Sequence, residues 1–167
     1  TKEVKSWIKK KSKDKYVTIN DLPEGAIYFT SYNQERNQFL YGYMQPDTTS
    51  DLVGGYYKTS KGLGFFDDGK TTCKIGSTVI DVASDSIIAR VSGECTNGTK
   101  FTGVSSQENG VGSGTAGTKD GKNRFNFDFA LSKSKILAIY KNNKAETQIV
   151  ERKLPSKGHE KIILIPN

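Results

Sequence analysis

Apolar and polar residues alternate with a period of two over most of this chain, most regularly around its two cysteines. Cys73, Ile75, Ser77 and Val79 lie between Lys74, Gly76 and Thr78, and on the return Ala89, Val91, Gly93 and Cys95 lie between Arg90, Ser92 and Glu94. Folding the stretch about Ser84 sets Cys73 opposite Cys95, Lys74 opposite Glu94 and Ile75 opposite Gly93. It also pairs Ser77 with Val91, Val79 with Ala89 and Asp81 with Ile87. One face is then mostly apolar and the other charged, as an antiparallel pair with one buried face requires. The loop Ala83-Ser84-Asp85, or one two residues wider, has hairpin length. This register predicts a Cys73–Cys95 disulfide, and with it an oxidising compartment.

The same alternation predicts strands at Ala26–Tyr32, Gln38–Met44 and Gly54–Thr59. Asn33–Asn37 reads as a hairpin turn, Gln45–Asp51 as a loop, and Asp67-Asp68-Gly69-Lys70 as a further turn. Thr96-Asn97-Gly98 fits a bulged three-residue turn with Gly98 left-handed, which keeps Phe101 on the face of Cys95. Turns at Gln107–Gly110 and Lys119–Lys122 frame the next two strands. Centring the second between Asp120 and Gly121 sets Phe125 opposite Ala116, Phe127 opposite Gly114 and Phe129 opposite Gly112. Large rings then shield glycine backbone, and Asn126 and Asp128 face water.

Toward the C-terminus, Ile136–Tyr140 and Thr147–Arg152 read as a hairpin about Lys141–Lys144. Leu154–His159 reads as a turn and Lys161–Ile165 as a final strand. Near the N-terminus Val4, Trp7 and Ile8 have helical spacing. The expectation is an all-β chain: a single antiparallel β-barrel or sandwich of about ten strands with a short N-terminal helix or arm. Residues 1–15 would be the arm and 16–167 the β domain.

Composition narrows the class further. The 34% of hydrophobic residues is low, but they fall in periodic runs, which argues against disorder. Apolar runs such as Ile162–Ile165 are strand length and far short of the roughly 18 residues of a membrane helix. A start at Thr1 with one internal Met44 reads as a processed or trimmed chain. With the cysteine register, it points to a secreted, periplasmic or cell-surface location.

The net charge of +7 sits at the ends. Residues 1–15 hold seven Lys, one Glu and one Asp, whereas residues 16–135 hold twelve Lys/Arg and thirteen Asp/Glu. The basicity of the arm predicts a contact with a protein partner or an anionic surface through Lys2, Lys5, Trp7, Lys9, Lys10, Lys11 and Lys13. The near-neutral body argues against nucleic acid.

Candidate chemistry is sparse. Gly110-Val-Gly112-Ser-Gly114 is glycine-rich, but a strand pattern follows it where a phosphate cradle needs a helix. His159, the single histidine, falls in a turn. Asp67-Asp68-Gly69 lacks the alternating oxygen ligands of a calcium loop and reads as turn capping. Two cysteines and one histidine do not make a zinc site. Asn97-Gly98-Thr99 matches a glycosylation acceptor, in a turn that wants Asn-Gly anyway. Phe39, Tyr41 and Tyr43 share one strand face, either a core face or a row for stacking sugars or bases.

No catalytic or metal-binding residue is assigned, and no cofactor is expected. The functional expectation is a non-catalytic exported or envelope-associated β module that binds or assembles with a partner through its surface and basic ends. The alternatives are a lipocalin-like barrel for a small ligand, or a structural subunit of a phage or surface filament.

Overall fold

The computed structural model describes residues 17–153, with side chains placed for all but Gln34 and residues 147–153. Eight antiparallel strands close into an up-and-down barrel: β1 (Ile27–Asn33), β2 (Gln38–Pro46), β5 (Thr59–Phe66), β6 (Thr72–Val82), β7 (Ile87–Cys95), β8 (Lys100–Glu108), β9 (Val111–Thr118) and β10 (Arg124–Ala130). The closing seam pairs β1 with β10, Phe29 opposite Phe129 and Ser31 opposite Phe127. A two-stranded hairpin, β3 (Leu52–Val53) and β4 (Tyr56–Tyr57), is inserted between β2 and β5. Of the two expected architectures, the chain adopts the barrel.

The cysteine hairpin has the expected register from Cys73–Cys95 to Val79–Ala89. A bulge between Val79 and Asp81 then shifts it by one, so Asp81 meets Ile88 and Val82 meets Ile87. The disulfide is formed, with Cα atoms 3.9 Å apart between residues 22 positions apart in sequence. Glu94 lies opposite Lys74 but makes its ion pair, at 3.7 Å, with Lys100 on β8. Gly98 is left-handed as the turn requires. Phe125, Phe127 and Phe129 face Ala116, Gly114 and Gly112.

The glycines of β9 are needed for a different reason from the one the sequence suggests. A Cβ on Gly112 would lie 2.0 Å from the Ser106 carbonyl oxygen, and one on Gly114 would lie 2.6 Å from that of Val104. The neighbouring backbone fills the space as the sheet curls into a barrel. Ring-over-glycine packing occurs at Gly93, where a Cβ would meet Phe101 Cζ at 2.2 Å.

Two regions depart from expectation. The segment expected as strand Gly54–Thr59 divides into β4 and the start of β5, and β5 then runs on to Phe66. Its glycines at 62 and 64 masked the alternation. The expected hairpin of Ile136–Tyr140 and Thr147–Arg152 is instead one helix, α1 (Lys133–Lys153). Ser132 stands at its start, its Oγ accepting the Lys135 N–H at 3.3 Å. Ile136, Ile139, Tyr140 and Asn143 recur at three- and four-residue spacing. That is the period of a helix stripe, and Ile136 is fully buried. Residues 1–16 and 154–167 lie outside the described residues. With them go the N-terminal arm, the turn at Leu154–His159 and the strand at Lys161–Ile165.

Inside the barrel, Phe29, Leu40, Phe66, Ile75, Val91 and Phe101 pack with the disulfide and the three phenylalanines of β10. Outside, α1 and the segment from Val17 to Ala26 cover a second apolar layer on β1, β2 and β5. The row of Phe39, Tyr41 and Tyr43 belongs to this layer and is buried, so it offers no face for stacking sugars or bases. Tyr140 Oη and Lys144 Nζ donate to Asp67 Oδ2 at 2.7 and 2.8 Å, tying the helix to the β5–β6 turn.

Candidate functional site

The barrel has one plugged end and one open end. At the plugged end lie the disulfide, Phe66, Phe101 and Phe125, and there the amide of Asn33 donates to Asn123 Oδ1 at 3.1 Å. The turns there are tightly capped. Asp68 accepts hydrogen bonds from the Lys70 and Thr71 N–H groups and from the Thr71 hydroxyl. Burial pushes its carboxyl up, but these bonds outweigh that and hold it below the usual carboxylate range. Asp67 is held by the helix. The Asp67-Asp68 pair is thus structural in both halves.

At the opposite end β1 begins, β2 and β6 finish and β7 begins. A cavity of about 200 Å³ opens here. Ile27, Met44, Val79, Ile87 and Ala89 supply apolar lining, and Ser60, Ser77 and Gln107 supply polar groups. The inserted hairpin contributes Gly55, Tyr56 and Tyr57. Its Gly54 is left-handed and fits against Val82, whose Cβ would be 3.0 Å from an added methyl. Among the described residues seven large apolar side chains are exposed. Six of them, Leu52, Tyr56, Tyr57, Ile80, Val111 and Leu131, belong to this end; Val104 on the side wall is the other. An apolar collar of this kind costs solubility and marks binding surfaces.

One rung deeper is Ser105, next to Ala89 across the strand pair and two residues from Gln107. Its hydroxyl is buried without a protein partner, as is that of Ser31. A buried hydroxyl left unpaired costs about 1–3 kcal/mol, so a polar atom delivered through the cavity to Ser105 would be favoured. The arrangement can hold a small apolar group and offer it a few hydrogen bonds. Among the described residues, nothing lining the cavity pairs a nucleophile with a base.

Sequence reasoning placed Val79 and Ala89 on the inner face but did not find the cavity, because its other walls come from strand ends distant in sequence. Of the residues singled out as sites, Cys73 and Cys95 are joined at the plugged end. Lys2, Lys5, Trp7, Lys9, Lys10, Lys11 and Lys13 lie outside the described residues.

No family model and no curated protein matches the chain. Two solved structures are similar to it. One is titled a de novo design of a fluorescence-activating β-barrel, with 14% identity, a TM-score of 0.43 and coverage of 68% of this chain and 97% of that one. The other is a redesigned β-barrel, mFAP1, bound to DFHBI, with 21% identity, a TM-score of 0.43 and coverage of 64% and 94%. In both the likeness is to a β-barrel. Among the described residues no helix is long and apolar enough to cross a membrane.

Proposed function

We propose that this chain is a non-catalytic binding module, exported to an oxidising compartment, that takes a small apolar molecule into the open end of its barrel. The observation that carries this reading is the cavity under the Tyr56-Tyr57 hairpin, at the end of the barrel that holds six of the seven exposed large apolar side chains of the described residues. An eight-stranded barrel is just wide enough to be filled by side chains or to hold one small ligand. Here the phenylalanines fill the plugged end and the β1–β10 side of the barrel and leave the cavity on the side of β2, β6 and β7. At about 200 Å³ the cavity is below the roughly 300–1,000 Å³ of drug-sized pockets. A single ring or a short acyl end is therefore the expected cargo, with Gln107 or Ser105 meeting its polar atom. The disulfide supports export, because a bond of this kind persists outside reducing compartments.

Titration with single-ring aromatics such as p-cresol and benzyl alcohol, followed by amide chemical shifts, tests the proposal. Wild type should show saturable shifts of the Ala89, Ser105 and Gln107 amides. Ala89→Phe, which fills the cavity from its wall, should abolish them with the far-ultraviolet circular dichroism unchanged, and Ser60→Phe should do the same from the rim. Binding that survives both substitutions would remove the basis for the proposal, and so would wild type whose open-end amides never shift.

A further inference from the structure

A second, polar concavity lies on the outer wall, away from the open end. It is a groove of about 390 Å³ between α1 and the face of β8, β9 and β10. Its floor follows from strand register. Tyr32, Asn126 and Thr115 form one rung across β1, β10 and β9. Asp128, Ser113 and Ser106 form the adjacent rung across β10, β9 and β8. With strands about 4.8 Å apart and same-face residues about 6.6 Å apart along a strand, the floor measures about 10 by 7 Å. Asn143 of the helix closes one side, and Ile88 and Val104 the other.

The floor is unusual for a solvated barrel wall. It carries a carboxylate, a carboxamide and the aliphatic hydroxyls of Ser106, Ser113 and Thr115 in place of the long Lys and Glu side chains that blunt most sheet surfaces. Asp128 is half-buried by its surroundings, and burial alone pushes its carboxyl up. Among the described residues it accepts no hydrogen bond and meets no cation. A carboxylate kept partly dry and unpaired costs stability, and nothing in the packing requires it at this position.

The chemistry of the groove discriminates between ligand classes. An anion would meet the Asp128 carboxylate. An organic cation would find a single carboxylate, with Arg90 following Val104 in the same rung and Arg124 two residues before Asn126, both exposed. A neutral polyol satisfies the whole floor: vicinal hydroxyls donate to Asp128, bridge the Asn126 carboxamide, and exchange hydrogen bonds with Ser113, Thr115 and Ser106. Tyr32 and Val104 supply apolar edges for the C–H faces of a sugar ring. We propose that this groove is a saccharide-binding site, distinct from the apolar cavity, with Asp128 and Asn126 as its principal hydrogen-bonding groups.

The test is amide chemical-shift mapping of the full chain with millimolar cellotriose, chitotriose, maltotriose and mannotriose, and separately with a diamine and citrate. At least one trisaccharide should shift the amides of Thr115, Asn126 and Asp128 in a saturable way. Asp128→Ala and Asn126→Ala should each weaken that binding about tenfold or more, the loss expected for a charge-assisted or paired hydrogen bond. Neither should lower the melting temperature, which a merely structural role for Asp128 would require. Ala89→Phe should leave saccharide binding intact. If no trisaccharide perturbs the groove, or if Asn126→Ala binds as wild type, the proposal fails. Response to the diamine alone, centred on Asp128, would likewise overturn the saccharide assignment.

Discussion

Phe127 occupies the middle of the barrel interior, and its removal should be among the most damaging single changes in the chain. Its ring centroid lies 5.8 Å from those of Phe29 and Phe101 and 6.0 Å from that of Phe129. It is 2% exposed. Truncation to alanine forfeits the transfer free energy of a buried phenyl group, about 2 kcal/mol. The vacated volume is about 100 Å³, and at about 24 cal/mol per Å³ it adds about 2 kcal/mol if the barrel cannot collapse around it. Collapse is resisted because the surrounding rings are carried on hydrogen-bonded strands of a closed sheet. The expected loss is therefore about 4 kcal/mol, a large part of the roughly 5–15 kcal/mol that a domain has. Urea unfolding with the disulfide intact measures it. A slope of about 2 kcal/mol per molar urea converts the loss to a midpoint shift of about 2 M. Val104→Ala on the exposed outer wall is the control and should change stability by no more than about 0.5 kcal/mol. A Phe127→Ala loss below about 1.5 kcal/mol would refute the face assignment for β10 and the packed half of the barrel with it.

Reduction of Cys73–Cys95, which joins residues 22 apart, should cost about 3 kcal/mol by chain-entropy reasoning; a urea midpoint unchanged by dithiothreitol would contradict that. Burial pushes the Tyr43 phenol from 10.0 up to about 12. The folded state thus holds its proton longer than the unfolded chain, and stability is full below pH about 10 and falls as pH rises from there toward 12. Tyr140, raised by burial and then by Asp67, adds to the same alkaline loss, so Tyr43→Phe should flatten the profile of melting temperature against pH only in part. For Asp128, raised by burial, the ionised form is the costly one. Its cost is absent below the unfolded carboxylate range and grows as pH rises through it, so Asp128→Asn should raise the melting temperature at neutral pH and converge with wild type in acid. Deleting residues 1–13 should abolish binding to anionic liposomes or to an acidic protein partner while leaving the barrel folded; a deletion that melts the barrel would make the arm structural.

How far the sequence reached depended on whether each signal was local. The register of β6 on β7, the left-handed Gly98 and the facing of Phe125, Phe127 and Phe129 were legible because two adjacent strands and one turn fix them. Barrel closure was not, since the β1–β10 seam joins residues about a hundred positions apart and nothing in either strand names its partner. The terminal helix was misjudged because Ile136-Leu137-Ala138-Ile139-Tyr140 is a short apolar run, for which helix and strand periods cannot be told apart. Asn143, buried on the same stripe, would have settled the period had a polar residue been allowed a core position. Asn126 and Asp128 were rightly placed on the outer face, but only α1 makes that face a groove, and α1 was read as strands.

The misjudged helix also accounts for the contrast between the two faces of β2. A period-two strand in a barrel normally buries one face and wets the other, yet β2 buries Leu40 and Met44 inside and Phe39, Tyr41 and Tyr43 outside. The outer face is apolar because α1 and the segment from Val17 to Ala26 lie on it, with Tyr28 and Tyr41 donating their hydroxyls to the carbonyls of Pro23 and Val17. Among the described residues, the rest of the wall, from β6 to β9, has no such cover and alternates regularly. Substitutions toward binding are therefore least costly where the barrel is neither plugged nor covered, namely at its open end and along the flank of α1. Both sites proposed here lie in those places, and both carry unpaired polar groups, Ser105 beneath one and Asp128 within the other. A chain optimised for stability alone would have replaced Ser105 with alanine and Asp128 with asparagine or threonine. Their presence is a stability cost that ligand binding at each site would offset.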